Sequence, residues 1–114
     1  MPDKSKKVDE VISGLDDQVV DIVGKFVKRR KGDYEKAALK LKNKLRDDVL
    51  RYSKLLESEK ISKEDFEYLV RGRSAQLKIE LLEQASISRS KLDLVTEDVV
   101  KLVINSAFDV VAAV

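Results

Sequence analysis

From Val99 the chain reads VVKLVINSAFDVVAAV, its most apolar run, and any fold must take this run out of water. Lys101, Asn105 and Asp109 interrupt it, so it falls short of the roughly 20 apolar residues that a membrane span requires. A half-buried strand would alternate, and the unbroken Val99-Val100 and Leu102-Val103-Ile104 do not. Only a short buried strand over Leu102–Ile104 would be compatible. A helix accounts for the polar residues best. Glu97, Lys101, Asn105 and Asp109 recur at every fourth position and fall in one stripe at about 100° per residue. Thr96 reads as the N-cap, with Glu97 and Asp98 in the first turn and Val95 and Val100 as a hydrophobic staple. Such a helix is apolar on most sides, so other helices must surround it, or a second molecule must cover what they leave. Leu102 and Phe108 flank the polar stripe and are the positions a monomer would struggle to cover. They are the expected self-association surface.

The remaining composition supports a helical answer. Apolar residues make up 43% and charged residues 39%, with Gly 4 and Pro 1, which is the profile of a helix-rich chain rather than a disordered or β-rich one. At 114 residues the chain is expected to form one domain, residues 1–114. It contains neither Cys nor His. That excludes disulfides, thiolate metal sites, a cysteine nucleophile and a Ser–His pair, and it removes the Glu-x-x-His element of di-iron bundles. The opening Met-Pro-Asp-Lys-Ser-Lys-Lys-Val has no apolar h-region, so no signal peptide is expected and the cytoplasm is the expected compartment.

Four helices are predicted, over residues 5–31, 33–58, 63–86 and 96–113. In the first, Val8, Val11, Ile12, Leu15, Val19, Ile22, Val23 and Phe26 step by threes and fours along one face. Gly14 and Gly24 each lower its propensity by about 1 kcal/mol relative to Ala. Its stop is placed at Lys31-Gly32, where Gly suits a C-terminal cap and the basic run before it complements the dipole. Asp33 is the expected N-cap of the second helix, whose face is Tyr34, Ala38, Leu41, Leu45, Val49, Tyr52 and Leu56. Ser62-Lys63-Glu64-Asp65 is a capping box for the third, with Ile61 and Phe66 at staple positions. Phe66, Leu69, Val70, Leu77, Leu81 and Ala85 then point inward, and Ser86–Asp93 reads as a Ser-rich loop. Short connections imply an all-α, up-down-up-down four-helix bundle, with self-association to complete or extend it.

Charge is unevenly placed. Residues 25–54 carry 12 Lys/Arg against 4 Asp/Glu, although the whole chain is only +2. The centre of this region is Lys25, Lys28, Arg29, Arg30 and Lys31, and Lys36, Lys40 and Lys44 continue it along the second helix. Such a patch can neutralise phosphates in a sequence-tolerant, salt-sensitive way. It would equally suit an acidic protein surface or an anionic membrane. The bland reading is a solvated helix end whose cations satisfy the last carbonyls.

Carboxylate pairs are weaker candidates. Asp17 and Asp21, and Glu80 and Glu83, lie a turn apart on outward faces, whereas a bundle metal site turns several carboxylates inward. No cofactor or metal site is therefore expected. With the second turn near Lys60-Ile61, Leu55 should face Phe66, Tyr52 face Leu69, and Val49 face Gly72, whose missing side chain would give room. The same register brings Asp48 to Arg73, two charges on or beside apolar faces, where a partly buried and two-pronged ion pair would fix the hairpin. The rival is that Arg73, with Ser74, holds an anionic small molecule. Taken together, the sequence leads first to a non-enzymatic interaction or assembly protein that self-associates through its C-terminal helix. The alternative is a nucleic-acid-binding protein that uses the basic edge.

Overall fold

A computed structural model describes residues 4–84 and 88–112. Five helices follow in order: α1 (Lys4–Ser13), α2 (Asp16–Phe26), α3 (Lys31–Glu57), α4 (Lys63–Gln84) and α5 (Arg89–Ala112), with no strand among the described residues. The count of four is thus corrected to five, because the first predicted helix is interrupted. At Gly14 and Leu15 the hydrogen bonding tightens, with Leu15 N donating to Ile12 O at 3.1 Å. Asp16 and Asp17 then open a new helix at its favourable, positive end. The apolar face survives the break: Val8, Ile12, Leu15, Val19, Ile22 and Val23 are all buried.

The body measures 47 × 23 × 18 Å, and the 27 residues of α3 span about 40 Å at 1.5 Å each, so the helices lie along its length. α3 and α5 pack against each other and against every other helix, with α1 and α2 on one side of the pair and α4 on the other. Contacts along the edges give the directions. Lys4 Nζ donates to Val111 O at 2.7 Å, joining the start of α1 to the end of α5. Ser88 N, just before α5, donates to the Tyr34 hydroxyl at 2.9 Å, joining the starts of α5 and α3. One end of the body therefore collects the last turn of α2 and the first turns of α3 and α5.

The turn between α3 and α4 was legible at its second half. Ser62 Oγ accepts from Asp65 N at 3.1 Å and Asp65 Oδ2 accepts from Ser62 N at 3.1 Å, a reciprocal capping box. α3 ends in a Schellman arrangement: Lys60 N donates to Leu55 O at 2.9 Å and Glu59 N to Leu56 O at 3.1 Å. Glu59 takes the left-handed position of this motif, with φ 62°. Phe66, Val70, Leu77 and Leu81 are buried as expected and Leu69 is half-buried; Ala85 lies outside the described residues. Gly72 corrects the reading built on it. A Cβ there would meet nothing within 4 Å, so Gly72 is exposed and makes no room for Val49.

α5 begins earlier than predicted. Leu92 N donates to Ser88 O at 3.0 Å, which places the N-cap at Ser88. Thr96 is not a cap; it is buried inside the helix, as are Val95 and Val100. Of the expected loop, residues 89–93 are helical and 86–87 lie outside the described residues. The Ser-rich composition hid a helix because Leu92, Val95 and Val99 supply its apolar face from further along. Glu97, Lys101, Asn105 and Asp109 form the exposed stripe, as their spacing predicted.

Candidate anion-binding site at the basic end

The basic run lies in a different setting from the one its sequence suggested. α2 stops at Phe26, with Val27 extended at φ −125°, so only Lys25 stands in the last turn of a helix. Lys28, Arg29 and Arg30 form the link, and Lys31 and Gly32 open α3 rather than closing the helix before it. Asp33 is not the N-cap; that position is Arg30, in the left-handed conformation at φ 57°, and Arg30 Nε donates to Asp33 Oδ2 at 2.9 Å. Cations are disfavoured ahead of a helix start, where the unpaired N–H groups are already positive. Satisfying terminal carbonyls therefore explains Lys25 and does not explain Lys28 or Arg29.

Three of the five expected basic residues line one hollow. Lys25, Lys28 and Arg29 surround a pocket of about 510 Å³ together with Phe26, Tyr34 and Lys91. Lys91 comes from the first turn of α5, a contribution invisible while that region read as a loop. No acidic residue stands in that first turn, and among the described residues no carboxylate lines the pocket. Among the described residues no ion pair engages Lys25, Lys28, Arg29 or Lys91. Arg30 and Lys31 turn elsewhere. Arg30 is paired with Asp33, and the Lys31 ammonium folds back over α2 to within 3.3 Å of where a Gly24 side chain would begin.

The walls differ in stiffness. Tyr34 is buried and its hydroxyl is held by Ser88 N. Phe26 is half-buried and packs against the core. Away from this end, two cations of α3 are paired within the chain: Lys44 reaches Glu80 at 3.5 Å and Arg46 reaches Asp9 at 3.4 Å. Lys42 is buried along its stem and its ammonium pairs with Asp16, whose side chain is 60% exposed. No pattern in the sequence singles out Lys42, which sits one position past Leu41 on the edge of the apolar face.

The other candidate residues are placed as follows. Arg73 Nε donates to Asp48 Oδ2 at 2.8 Å. The pair is single-pronged rather than bidentate, because Arg73 Nη1 turns to Gln76 and Asp48 Oδ1 accepts from Arg51. That bond to Asp48 outweighs partial burial and raises the Arg73 pKa. Ser74 faces away from this pair: its hydroxyl donates to Arg71 O at 2.8 Å, and it lines a crevice of about 200 Å³ between α4 and α5. Arg73 and Ser74 therefore do not share a site. The crevice charges are matched internally, Arg71 with Glu97 at 3.1 Å and Lys78 with Asp93 at 2.7 Å.

Leu102 and Phe108 are both partly buried against the core of their own chain. The Phe108 ring centroid lies 5.1 Å from that of Phe66, and the Lys63 ammonium sits 4.9 Å above the same ring. For Phe108, Phe66 and Lys63 of α4 supply part of the cover assigned to a second copy. Among the described residues, the large apolar side chains most open to water are elsewhere: Tyr68 at 78%, Ile79 at 58% and Leu94 at 48%. No group of acidic residues that could hold a metal ion and no helix long and apolar enough to cross a membrane occur among the described residues. Comparison with family models, with curated proteins and with solved structures gives no match for the chain.

Proposed function

We propose that this is a non-enzymatic nucleic-acid-binding protein that engages phosphates with its basic end. One observation carries the reading: Lys25, Lys28, Arg29 and Lys91 converge on a hollow with no carboxylate in its lining among the described residues, beside the starts of two helices. Those starts add their own positive field and are natural phosphate sites. Charges so placed repel one another, and an anion relieves the repulsion. The test is retention of labelled DNA and RNA across a salt series. Replacing Lys25, Lys28 and Arg29 together by Gln should weaken binding to all sequences alike. The slope of log affinity against log salt should fall by about 2–3, given about 0.9 per duplex phosphate and 0.7 per single-strand phosphate. Failure of the intact protein to retain either nucleic acid at low salt rejects the reading.

Self-association remains a second reading, and a specific feature favours it. Tyr68, Gly72, Ala75 and Ile79 are exposed at helical spacing on the outer face of α4. Apolar groups grouped this way mark contact surfaces. The contact is then carried by α4 rather than by Leu102 and Phe108. Light scattering at two concentrations, on the natural protein and on Tyr68→Ser, tests it; one monomeric mass throughout rejects it.

A further inference from the structure

The shape of the basic end narrows the ligand. Duplex DNA carries a charge about every 1.7 Å of its axis, and proteins that follow it present cations in a track. Here the continuation of the patch along α3 is partly neutralised, since Lys44 pairs with Glu80 and Arg46 with Asp9. Lys25, Lys28, Arg29 and Lys91, none of which has a carboxylate partner among the described residues, instead come from a helix end, a link and a second helix start and line one hollow of about 510 Å³. That is within the usual range of small-ligand sites and has room for one nucleotide rather than a length of duplex. The lining also contains two aromatic residues, Phe26, which is half-buried, and Tyr34, whose hydroxyl is held by Ser88 N. A flat partner for a base beside a cluster of phosphate partners is the combination that single strands use, because every base has a π-face.

We propose that this pocket receives one phosphate-bearing nucleotide of a single strand, at its end or splayed from it. Phe26 stacks on the base, and Lys25, Lys28, Arg29 and Lys91 hold the phosphates. The proposal rests on the nucleic-acid reading above and adds to it the kind of strand and the contact with the base. An anionic membrane would also meet the cations, but the aromatic groups lie in a hollow rather than protruding toward a bilayer.

Fluorescence anisotropy decides the matter, using a labelled 12-nucleotide single strand with and without a 5′-phosphate, a blunt duplex of the same sequence, and adenosine monophosphate as competitor. The single strand should bind more tightly than the duplex, and adenosine monophosphate should displace it. Phe26→Leu, which keeps an apolar contact with the core, should weaken single-strand binding by roughly 5- to 150-fold, the range of one lost base–aromatic stack, and leave the salt slope unchanged. Lys91→Gln, at an exposed position, should lower that slope by about 0.7. Equal binding of duplex and single strand, with Phe26→Leu and Lys91→Gln both neutral, overturns the pocket while leaving the nucleic-acid reading intact. No binding of any nucleic acid overturns both. Sedimentation with phosphatidylserine vesicles in place of nucleic acid binding overturns the proposal in favour of a membrane surface.

Discussion

Arg73 on α4 donates its Nε to Asp48 on α3 at 2.8 Å, and the same carboxylate accepts from Arg51 one turn along α3. The bond links the helices on either side of the turn at residues 58–62, at the register that the turn position implies. Asp48 is 15% exposed and Arg73 36%, which puts the pair between a surface bridge and a buried one. Removing Arg73 does not strand Asp48, because Arg51 remains. A double-mutant cycle on Asp48 and Arg73 by urea unfolding should therefore give a coupling of about 0.5–1 kcal/mol, well short of the 3–5 kcal/mol that breaking a fully buried pair costs. A coupling near zero would show that apolar packing alone sets the register.

The same turn offers a gain and a loss. Glu59 occupies the left-handed position at φ 62°, which costs a side-chain-bearing residue about 1 kcal/mol that glycine avoids. Glu59→Gly should stabilise the protein by up to about 1 kcal/mol. Ser62→Ala removes the oxygen that accepts from Asp65 N and should destabilise it by about 0.5–2 kcal/mol. Denaturant midpoints measure both, and a stabilising Ser62→Ala would contradict the cap.

Lys42 tests what a buried lysine contributes. Its stem lies in the core while its ammonium reaches Asp16 at the surface. Lys42→Met keeps the packing and leaves Asp16 in water, so its effect should fall within about 1 kcal/mol of zero. Lys42→Ala also opens a cavity and should cost about 2 kcal/mol or more. Equal losses in the two variants would mean that the ion pair, and not the stem, matters.

Acid should loosen α5 from α4 at a definable point. The Lys78 ammonium, 2.7 Å from the Asp93 carboxylate, holds that carboxyl below its ordinary range, with Arg89 adding to the effect. The lowered folded-state value means that the stabilisation is present above the ordinary carboxylate range and is lost as pH falls through the lowered one. Asp93→Asn should therefore be less stable than the natural protein near neutrality, and the difference should shrink below about pH 4. A difference independent of pH would remove the ion pair from the explanation.

What the sequence revealed follows from which interactions are local. Periodicity placed Val19, Leu45 and Phe66 in the core correctly, because burial of each is worth about 1.5–3 kcal/mol and the pattern repeats many times. The Ser62–Asp65 box was readable because both partners lie within one turn. The start of α5 was not, since Ser88 is fixed by Tyr34, 54 positions away in the chain. The break at Gly14 was also hidden: its partner for the new helix start is Lys42, on another helix. The candidate site is legible only in part for the same reason. Lys25, Lys28 and Arg29 stood out by composition, but Lys91 joins them only because α5 begins beside α3.

Lys91 separates stability from binding. It occupies the third position of α5 after the Ser88 cap, where a carboxylate would complete the Ser-x-x-Glu pattern and complement the helix dipole. The chain instead places Arg89 and Lys91 in that turn, with no acidic residue. Lys91→Glu should therefore stabilise the fold, by about 0.3–1 kcal/mol from the dipole. The capping hydrogen bond adds little, because Ser88 N is already engaged by Tyr34. The same change places a negative charge in the pocket and should weaken nucleic-acid binding about tenfold at low salt. Thermal unfolding and anisotropy on one preparation measure the two effects. A variant both more stable and weaker in binding is the signature of a charge kept for its ligand. A variant less stable, with binding unchanged, would show that Lys91 serves the fold.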